Sequence, residues 1–303
     1  MTSTSPVAQR PMLALALRLG SALCFSIMFL CVKLATERGV AVPEILFWRQ
    51  AVSAPALAAW LAWQGQLHRL RTSRIGAHAR RGLLGMSNIF ILFTATSMLP
   101  LAETTTFGFT TPLFAVLIAA LFFREKIGVW RWSAVAMGFC GVLVIAQPGG
   151  AHLNLLGAGL ALLAAFVVAI INYQLRDLGR TEEPICVVFW FGAIGASLSA
   201  FALPFYFEGH DAIGWLLMAG LGIAGLIGQL FLTASLRYGS VATVVVMDYT
   251  SLIWTSLLGW LAWSYLPPFT TWLGAPLIVA AGLTIAWREH RLARRPVAPA
   301  ETL

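Results

Sequence analysis

Charged residues are scarce in this chain of 303 residues: Asp, Glu, Lys and Arg together make up 11%, whereas hydrophobic residues make up 59%. Soluble globular proteins contain about 25% charged residues. Together with the mean hydropathy of +0.82, this excludes a soluble globule and indicates a protein that crosses a membrane several times. The net charge of +8 does not indicate nucleic-acid binding, because the arginines fall in small clusters between apolar runs.

Residues that bind metals or form disulfides are also few. The four cysteines, Cys24, Cys31, Cys140 and Cys186, lie inside apolar runs without the CxxC spacing of a zinc or redox site. The five histidines fall in connections or at the flanks of the apolar runs. We therefore expect no disulfide framework, no metal site and no cofactor.

The sequence lacks the signatures of ATP-driven transport and of catalysis. It contains no GxxxxGK[ST] phosphate-binding loop, and no connection is long enough to hold a nucleotide-binding domain. Intramembrane hydrolases and lipid transferases need His/Asp, Ser/Lys or paired Asp groups at membrane depth, where this chain has one deep acid and no histidine. We therefore expect that the protein is not an enzyme. A receptor or scaffold would not need the internal repeat described below.

Long apolar runs dominate the chain. With about 20 residues for each crossing, they predict an all-α integral membrane protein with ten transmembrane helices. The predicted spans are 12–35, 44–63, 82–99, 101–123, 130–147, 154–175, 184–207, 214–235, 241–263 and 270–287. The first run lacks a small-residue cleavage site, so we interpret it as a retained helix and not a signal peptide.

The positions of Lys and Arg predict the orientation. Of the 20 basic residues, all except Lys33, Arg38 and Arg49 fall at one side of the predicted spans or in the tails. Because basic residues collect on the cytoplasmic side, both termini are expected in the cytoplasm, here of a bacterial inner membrane. An even number of spans satisfies this arrangement.

Short segments recur about 140 residues apart. "ILFWR" at 45–49 is echoed by "VVFWF" at 187–191, and "GVLVI" at 141–145 by "GLTIA" at 282–286. The alternative is that apolar helices resemble one another by chance. The matches predict a first five-helix repeat over 1–147, a second over 148–290 and a cytoplasmic tail over 291–303. Since five is odd, the second repeat would be inverted, an architecture typical of alternating-access transporters.

Two spans contain residues that are unusual in lipid. Pro112 interrupts the run that ends at Lys126, and the carbonyl it frees must be satisfied by a helix, a hydroxyl or water. Thr110 and Thr111 are adjacent to it. We interpret Pro112 as a kink and hinge. Asp248 lies inside the corresponding run of the second repeat, where an ionised acid requires a partner or water.

Asp248 and Arg49 are the charged candidates for a substrate site. Asp248 would bind a substrate ammonium group or carry a coupled proton; the alternative is a structural acid that binds a neighbouring helix. Arg49 would bind a substrate carboxylate; the alternatives are a structural pair with Glu37, Glu44 or Glu103, or extension of the side chain toward the outer headgroups. Glu103 is the second candidate for a proton site.

The uncharged candidates lie in the third, fourth, eighth and ninth predicted spans. Asn88 and Gln229 occupy matching spans of the two repeats, where buried amides line a cavity or join helices. Four further residues offer ring faces or a hydroxyl to a substrate: Phe107, Thr111, Tyr249 and Trp254. The alternative for the aromatic residues is contact with lipid or the membrane interface.

The chain resembles the drug/metabolite transporter superfamily in its ten-helix form with two EamA-type units. The resemblance rests on "LFWRQAVSA" with Arg49, on the Pro112 helix that ends at Glu125, and on "WRWSAVAMGFCGVLVI". In the second unit Tyr265 and Leu252 stand where the family pattern has Glu and Pro. "VVVMDYTSLIWTSLLGWL" is most similar to bacterial YddG-type exporters of aromatic amino acids. The resemblance implies helices around a central cavity.

Together these observations predict a secondary transporter that exports amino acids, including aromatic and apolar ones, by alternating access. The alternative is an exporter or importer of another small metabolite or drug, with proton coupling or without it. The expected partners are a small-molecule substrate and membrane lipid, and not nucleic acid. A monomer is expected, with a homodimer left open.

Overall fold

The computed structural model describes residues 11–122, 124, 127–147, 153–179, 181–238 and 246–293. Within these residues the chain forms eleven α-helices and two 3-10 helices, with no strand. The α-helices are α1 Pro11–Glu37, α2 Val42–Trp63, α3 Ile75–Met98, α4 Leu101–Gly108, α5 Thr111–Leu121, α6 Val129–Ala146, α7 Leu155–Leu178, α8 Pro184–Tyr206, α9 Ala212–Tyr238, α10 Ser251–Trp263 and α11 Phe269–Ala293. The 3-10 helices are Leu67–Leu70 and Val246–Thr250.

These helices follow the predicted spans with three differences. The third helix begins at Ile75, well before residue 82. The fourth span is divided into α4 and α5, and α10 is preceded by the 3-10 helix Val246–Thr250. The predicted starting residues 241–245 of the ninth span and most of the cytoplasmic tail lie outside the described residues, as do Glu125 and Lys126.

Several helices are suited to a lipid environment. Within the described ranges, six segments are long and apolar enough to cross a membrane: Met12–Glu37, Leu101–Leu121, Val129–Ala146, Leu155–Leu175, Ala212–Leu232 and Phe269–Trp287. Large apolar side chains cover the outside of the bundle, and Phe201 and Phe205 are 80% and 84% exposed. Such a surface is stable against acyl chains and not against water. The protein is therefore an all-helical, multi-pass membrane protein.

The break between α4 and α5 shows how the chain tolerates Pro112. Pro112 cannot donate a backbone hydrogen bond to the carbonyl of Gly108, one turn earlier. The Thr111 hydroxyl donates to that carbonyl at 2.8 Å, and the Thr110 hydroxyl donates to the carbonyl of Phe107 at 2.6 Å. Of the three partners considered for the freed carbonyl, a helix, a hydroxyl or water, the structure shows the hydroxyl.

The helices pack in pairs that join the first half of the chain to the second. The most extensive contacts are α1 with α9, α6 with α11, α2 with α8 and α3 with α7. A smaller contact joins α4 to α10. Each of these pairs takes one helix from before residue 147 and one from after residue 155.

Glycines allow the closest of these approaches. A Cβ atom on Gly141 of α6 would lie 2.7 Å from the Gly274 carbonyl oxygen of α11, and one on Gly274 would lie 2.6 Å from the Gly141 oxygen. A Cβ on Gly228 of α9 would meet the Phe25 ring at 3.1 Å. Small residues at such crossings let backbones touch, which is the main source of helix association in lipid.

Gly141→Ala is expected to destabilise the protein by about 1–3 kcal/mol, because its methyl group would collide with a backbone oxygen that cannot rotate away. The measurement is the apparent melting temperature of the purified protein in detergent. Gly159→Ala is the matched control, since nothing lies within 4 Å of a Cβ there. Equal melting temperatures for the two variants would contradict the packing described for α6 and α11.

Candidate functional site

A cavity of about 350 Å³ lies among helices of both halves of the chain. Its lining comes from α1, α2, α3, α4, α9, α10 and the 3-10 helix Val246–Thr250. The lining residues are Arg18, Ala22, Phe25, Ser26, Met28, Phe29, Arg49, Ile89, Leu92, Phe93, Thr104, Thr105, Gly108, Phe109, Leu232, Asp248 and Ser251. The volume lies within the range of small-molecule sites.

An ion pair between Arg18 and Asp248 forms part of the cavity wall. Arg18 Nε donates to one carboxylate oxygen of Asp248 and Nη2 donates to the other. This two-point geometry matches the planar guanidinium to the planar carboxylate. The Arg18 side chain is 9% exposed and the Asp248 side chain 38%, so the carboxylate keeps an open face toward the cavity.

Arg18 lines the cavity but was not among the residues predicted for the site. It was assigned to the cytoplasmic group of basic residues, but it lies within α1, is buried and contacts Asp248. A guanidinium in this position compensates the cost of an acid in the membrane. The available signal was that Arg18 stands some seven residues into the first apolar run, a depth similar to that of Asp248 in its own run.

Arg49 lines the same cavity without an acidic partner among the described residues. Its Nη1 donates to the Gln50 side-chain oxygen at 3.0 Å, and its Nε contacts the Met28 sulfur at 3.3 Å. None of the structural pairs considered for it is present. The acids considered as its partners bind other groups: Glu37 accepts from Trp263, Glu44 contacts His210 and Trp48, and Glu103 accepts from Tyr265 and Thr271.

Arg49 therefore supplies the uncompensated charge of the cavity. The described lining contains two guanidinium groups and one carboxylate, and the carboxylate is bound to Arg18. Arg49 is buried and keeps nitrogen donors beyond its two contacts. A buried cation of this kind attracts a carboxylate, a phosphate or another strong hydrogen-bond acceptor.

Phenylalanine side chains form much of the apolar wall. Phe25, Phe29, Phe93 and Phe109 all line the cavity. Phe29 and Phe93 meet edge to face, with ring centroids 6.3 Å apart. Together with Ile89, these rings offer a surface on which an apolar or aromatic part of a ligand would pack.

The other predicted site residues do not line this cavity in the described part of the chain. Phe107 is fully buried in the core, and the Thr111 hydroxyl is used by the Gly108 carbonyl. Asn88 is 6% exposed, and its side-chain oxygen has no hydrogen-bond partner among the described atoms. Gln229 is partly buried on α9, one residue from Gly228, whose carbonyl accepts from Ser21 of α1.

Tyr249 and Trp254 are not part of the cavity lining. The Tyr249 ring packs edge to face on Phe109, with centroids 4.9 Å apart, and so contacts a lining residue from behind. Trp254 is partly buried, and its indole nitrogen has no hydrogen-bond partner among the described atoms.

Glu103 is buried between α4 and the segment that joins α10 to α11. Tyr265 and Thr271 donate hydroxyl hydrogen bonds to its Oε1 at 3.1 and 3.2 Å, whereas Oε2 has no partner among the described atoms. Tyr265, which stands where the family pattern has Glu, has a structural role here, since its hydroxyl binds a carboxyl group that lipid could not solvate.

Polar contacts join the connections at both ends of the bundle. At the α2–α3 end, Arg69 pairs with Glu183 at 2.6 Å, and Arg74 pairs with Asp177 at 2.6 Å. At the α1–α2 end, Arg38 pairs with Asp211 at 3.1 Å. The backbone N–H of Gly214 donates to Asp211 and, with Arg38, lowers the pKa of that carboxyl.

The model of the EamA-like transporter family matches this chain twice, over residues 12–147 and 155–287. The chain belongs to the EamA-like transporter family. This confirms the resemblance to the drug/metabolite transporter superfamily and agrees with the expectation of a transporter instead of an enzyme.

Relatives in the EamA-like family carry different names. The chain is 27% identical to a riboflavin transporter of Vibrio cholerae, an alignment that covers 85% of this chain and 87% of the relative. It is 28% identical to a pseudopaline exporter of Pseudomonas aeruginosa, with coverage of 86% and 92%. A solved protein structure shares the fold with a TM-score of 0.58 and 22% identity, over 90% of this chain and 98% of the other. Neither relative is named as an amino-acid exporter, so the resemblance to YddG-type exporters is not confirmed.

Removing either member of the Arg18–Asp248 pair is expected to destabilise this EamA-like protein more than removing both. A single change leaves a buried charge without a partner. The coupling free energy between the two changes should be about 1–3 kcal/mol, less than for a fully buried ion pair, because the Asp248 side chain is partly exposed. The measurement is a cycle of melting temperatures for Arg18→Gln, Asp248→Asn and the double variant. Strictly additive effects would contradict the pairing.

Proposed function

We propose that this EamA-like protein is a secondary transporter for a small metabolite that combines an aromatic or apolar part with a strong hydrogen-bond acceptor. The observation that carries the proposal is Arg49, a buried cation that faces a cavity lined with phenylalanines and has no acidic partner among the described residues. The ring or apolar part would pack on Phe29 and Phe93, and the acceptor would bind Arg49.

Amino acids fit this description and are the leading substrate class. The carboxylate would bind Arg49, the side chain would pack on the phenylalanines, and the ammonium group would approach the open face of Asp248. The second candidate is a ring-containing metabolite of another class, which is favoured by the similarity to a riboflavin transporter. Export from the cytoplasm across a bacterial inner membrane is the direction we propose.

The two matched regions would form inverted repeats, with both termini in the cytoplasm. The helix pairs support this arrangement. In the two repeats α1 corresponds to α7 and α3 corresponds to α9, so the repeat symmetry relates the α1–α9 pair to the α7–α3 pair, and both pairs are present. Close contacts follow the same exchange: a Cβ on Gly82 would meet Ile194 of α8, and a Cβ on Gly222 would meet Val52 of α2. We propose units at 1–147 and 148–290, followed by the tail 291–303.

Alternating access would then consist of opening one end of the bundle while the other remains closed. At the α2–α3 end, which we place in the cytoplasm, opening would separate Arg69 from Glu183 and Arg74 from Asp177. These exposed pairs are weak individually, so they can break and form without a large barrier. Pro112 would act as a hinge, because the helix is already interrupted beside it, between the end of α4 and the start of α5.

Asp248 and Glu103 are the proposed proton sites if transport is coupled. Asp248 is the more accessible of the two, because its side chain lines the cavity, whereas Glu103 is fully buried. Protonation of Asp248 would release Arg18 and change the charge of the cavity. A substrate gradient alone would drive an uncoupled facilitator.

Purified protein in liposomes is expected to exchange labelled amino acids against an internal pool of the same amino acid. The panel should contain phenylalanine, leucine, riboflavin, a nucleoside and a cationic drug, each with and without a pH gradient. Exchange of phenylalanine but not of the cationic drug would support the proposal. Exchange of the cationic drug alone would overturn it, and exchange of riboflavin alone would favour the second candidate.

Arg49→Gln is expected to raise the KM for carboxylate substrates about 10-fold to 100-fold, because a charge-assisted hydrogen bond is lost. Amide analogues of the same substrates should be affected less, and Arg49→Lys should retain part of the affinity. Arg38→Gln is the matched control, since Arg38 is exposed and pairs with Asp211 outside the cavity. The same loss for acids and amides would show that Arg49 is structural.

A further inference from the structure

A second polar cluster lies away from the cavity, at the α2–α3 end of the bundle. It is formed by His78 in the first turn of α3, Glu182 in the connection before α8, and Cys186 in the first turn of α8. The 3-10 helix Leu67–Leu70 covers it, and the Leu70 carbonyl lies 3.7 Å from the Cys186 sulfur. The cluster thus joins segments that are more than 100 residues apart.

The three side chains are buried and converge on one point. His78 and Cys186 are each 1% exposed, and the Glu182 side chain is 7% exposed. The carboxylate oxygen Oε2 of Glu182 lies 3.8 Å from His78 Nε2 and 3.5 Å from Cys186 Sγ. Ligand atoms at 2.0–2.3 Å around a tetrahedral zinc ion are about 3.3–3.8 Å apart, and both distances from Glu182 fall in this range. All three ligand atoms lie within 4.8 Å of one another.

The imidazole of His78 has a buried ring nitrogen without a hydrogen-bond partner among the described atoms. Its Nε2 is buried and makes no hydrogen bond among the described atoms, because 3.8 Å to Glu182 is too long. An unsatisfied buried polar atom is rare and indicates a missing partner. A cation placed between the three ligand atoms would satisfy Nε2.

We propose that His78, Glu182 and Cys186 bind a divalent transition-metal ion of the zinc class. Imidazole nitrogen, carboxylate oxygen and thiolate sulfur are its usual ligands, and three protein ligands leave a fourth position for water. Binding would displace the thiol proton of Cys186 into solvent. The Thr72 hydroxyl donates to the other Glu182 oxygen at 2.7 Å and so holds the carboxylate in orientation.

The proposed metal site has a mechanical consequence. It would tie α3 to α8, beside the Arg69–Glu183 and Arg74–Asp177 pairs that already join the connections at this end. A coordinated ion holds its ligands far more tightly than exposed ion pairs do. The site does not depend on the identity of the transported substrate.

Cobalt titration of the purified full-length protein, stripped with EDTA in detergent, tests the site. One Co²⁺ per chain should bind with a thiolate-to-cobalt charge-transfer band, and equimolar Zn²⁺ should remove that band. Cys186→Ser should abolish the band, and His78→Ala should weaken Co²⁺ binding by about tenfold or more. Cys140→Ser is the matched control, since Cys140 is exposed and outside the cluster.

Stability measurements complete the test. Zn²⁺ should raise the melting temperature of the parent and of Cys140→Ser, but not that of Glu182→Gln, which keeps the side-chain shape. Absence of a charge-transfer band in the parent would overturn the proposal. So would a band that persists in Cys186→Ser, because the thiolate would then come from another cysteine.

Discussion

Charge inside a hydrocarbon environment must be compensated, and this constraint determines the centre of the molecule. An unpaired charge on either Asp248 or Arg18 would raise the free energy of the folded protein in lipid, and the two-point ion pair between them compensates both charges. The pair fixes α1 against the 3-10 helix Val246–Thr250 and so defines one wall of the cavity. Arg49 is different, because its contacts with Gln50 and Met28 do not neutralise it. The cavity therefore carries a net positive charge that a ligand can satisfy.

Close backbone approach is the second constraint, and it explains how the charged centre is enclosed. Lipid offers no hydrophobic gain for helix association, so the helices depend on contact at small residues. Gly141 with Gly274, and Gly228 with Phe25, bring helices of the two halves together on different sides of the bundle. The same need for satisfied backbone groups places Thr111 beside the carbonyl that Pro112 leaves free. The broken α4–α5 segment is thereby stable while it contributes Thr104 and Phe109 to the cavity.

Features that depend on neighbouring residues could be predicted from the sequence. Apolar runs predict the helices, the threonines beside Pro112 offer one partner for the carbonyl that it frees, and Asp248 is recognisable as a deep acid. Features that depend on helix rotation and on contacts between distant segments could not be predicted. Arg18 is 230 residues from Asp248, and the phenylalanine lining could not be separated from lipid-facing rings by spacing alone. Asn88 and Thr111 lie on helices that contribute other residues to the cavity or adjoin it, but these two side chains are not part of the lining. The cluster of His78, Glu182 and Cys186 was missed for the same reason.

The glycines that hold the helices together are not among the residues that line the cavity, and this explains why family membership does not define the substrate. The helix pairs and the glycine crossings are requirements of any stable bundle in lipid, so proteins with different cargoes can share them. Under the proposed function, selectivity would depend on fewer positions: a cation such as Arg49, an acid such as Asp248, and rings such as Phe29 and Phe93. The rings project from helices whose backbones are fixed elsewhere, so they can change without loss of the fold. Relatives named for riboflavin transport and for pseudopaline export are therefore compatible with one architecture, and we propose that the charge balance around Arg49 distinguishes the cargo of this chain.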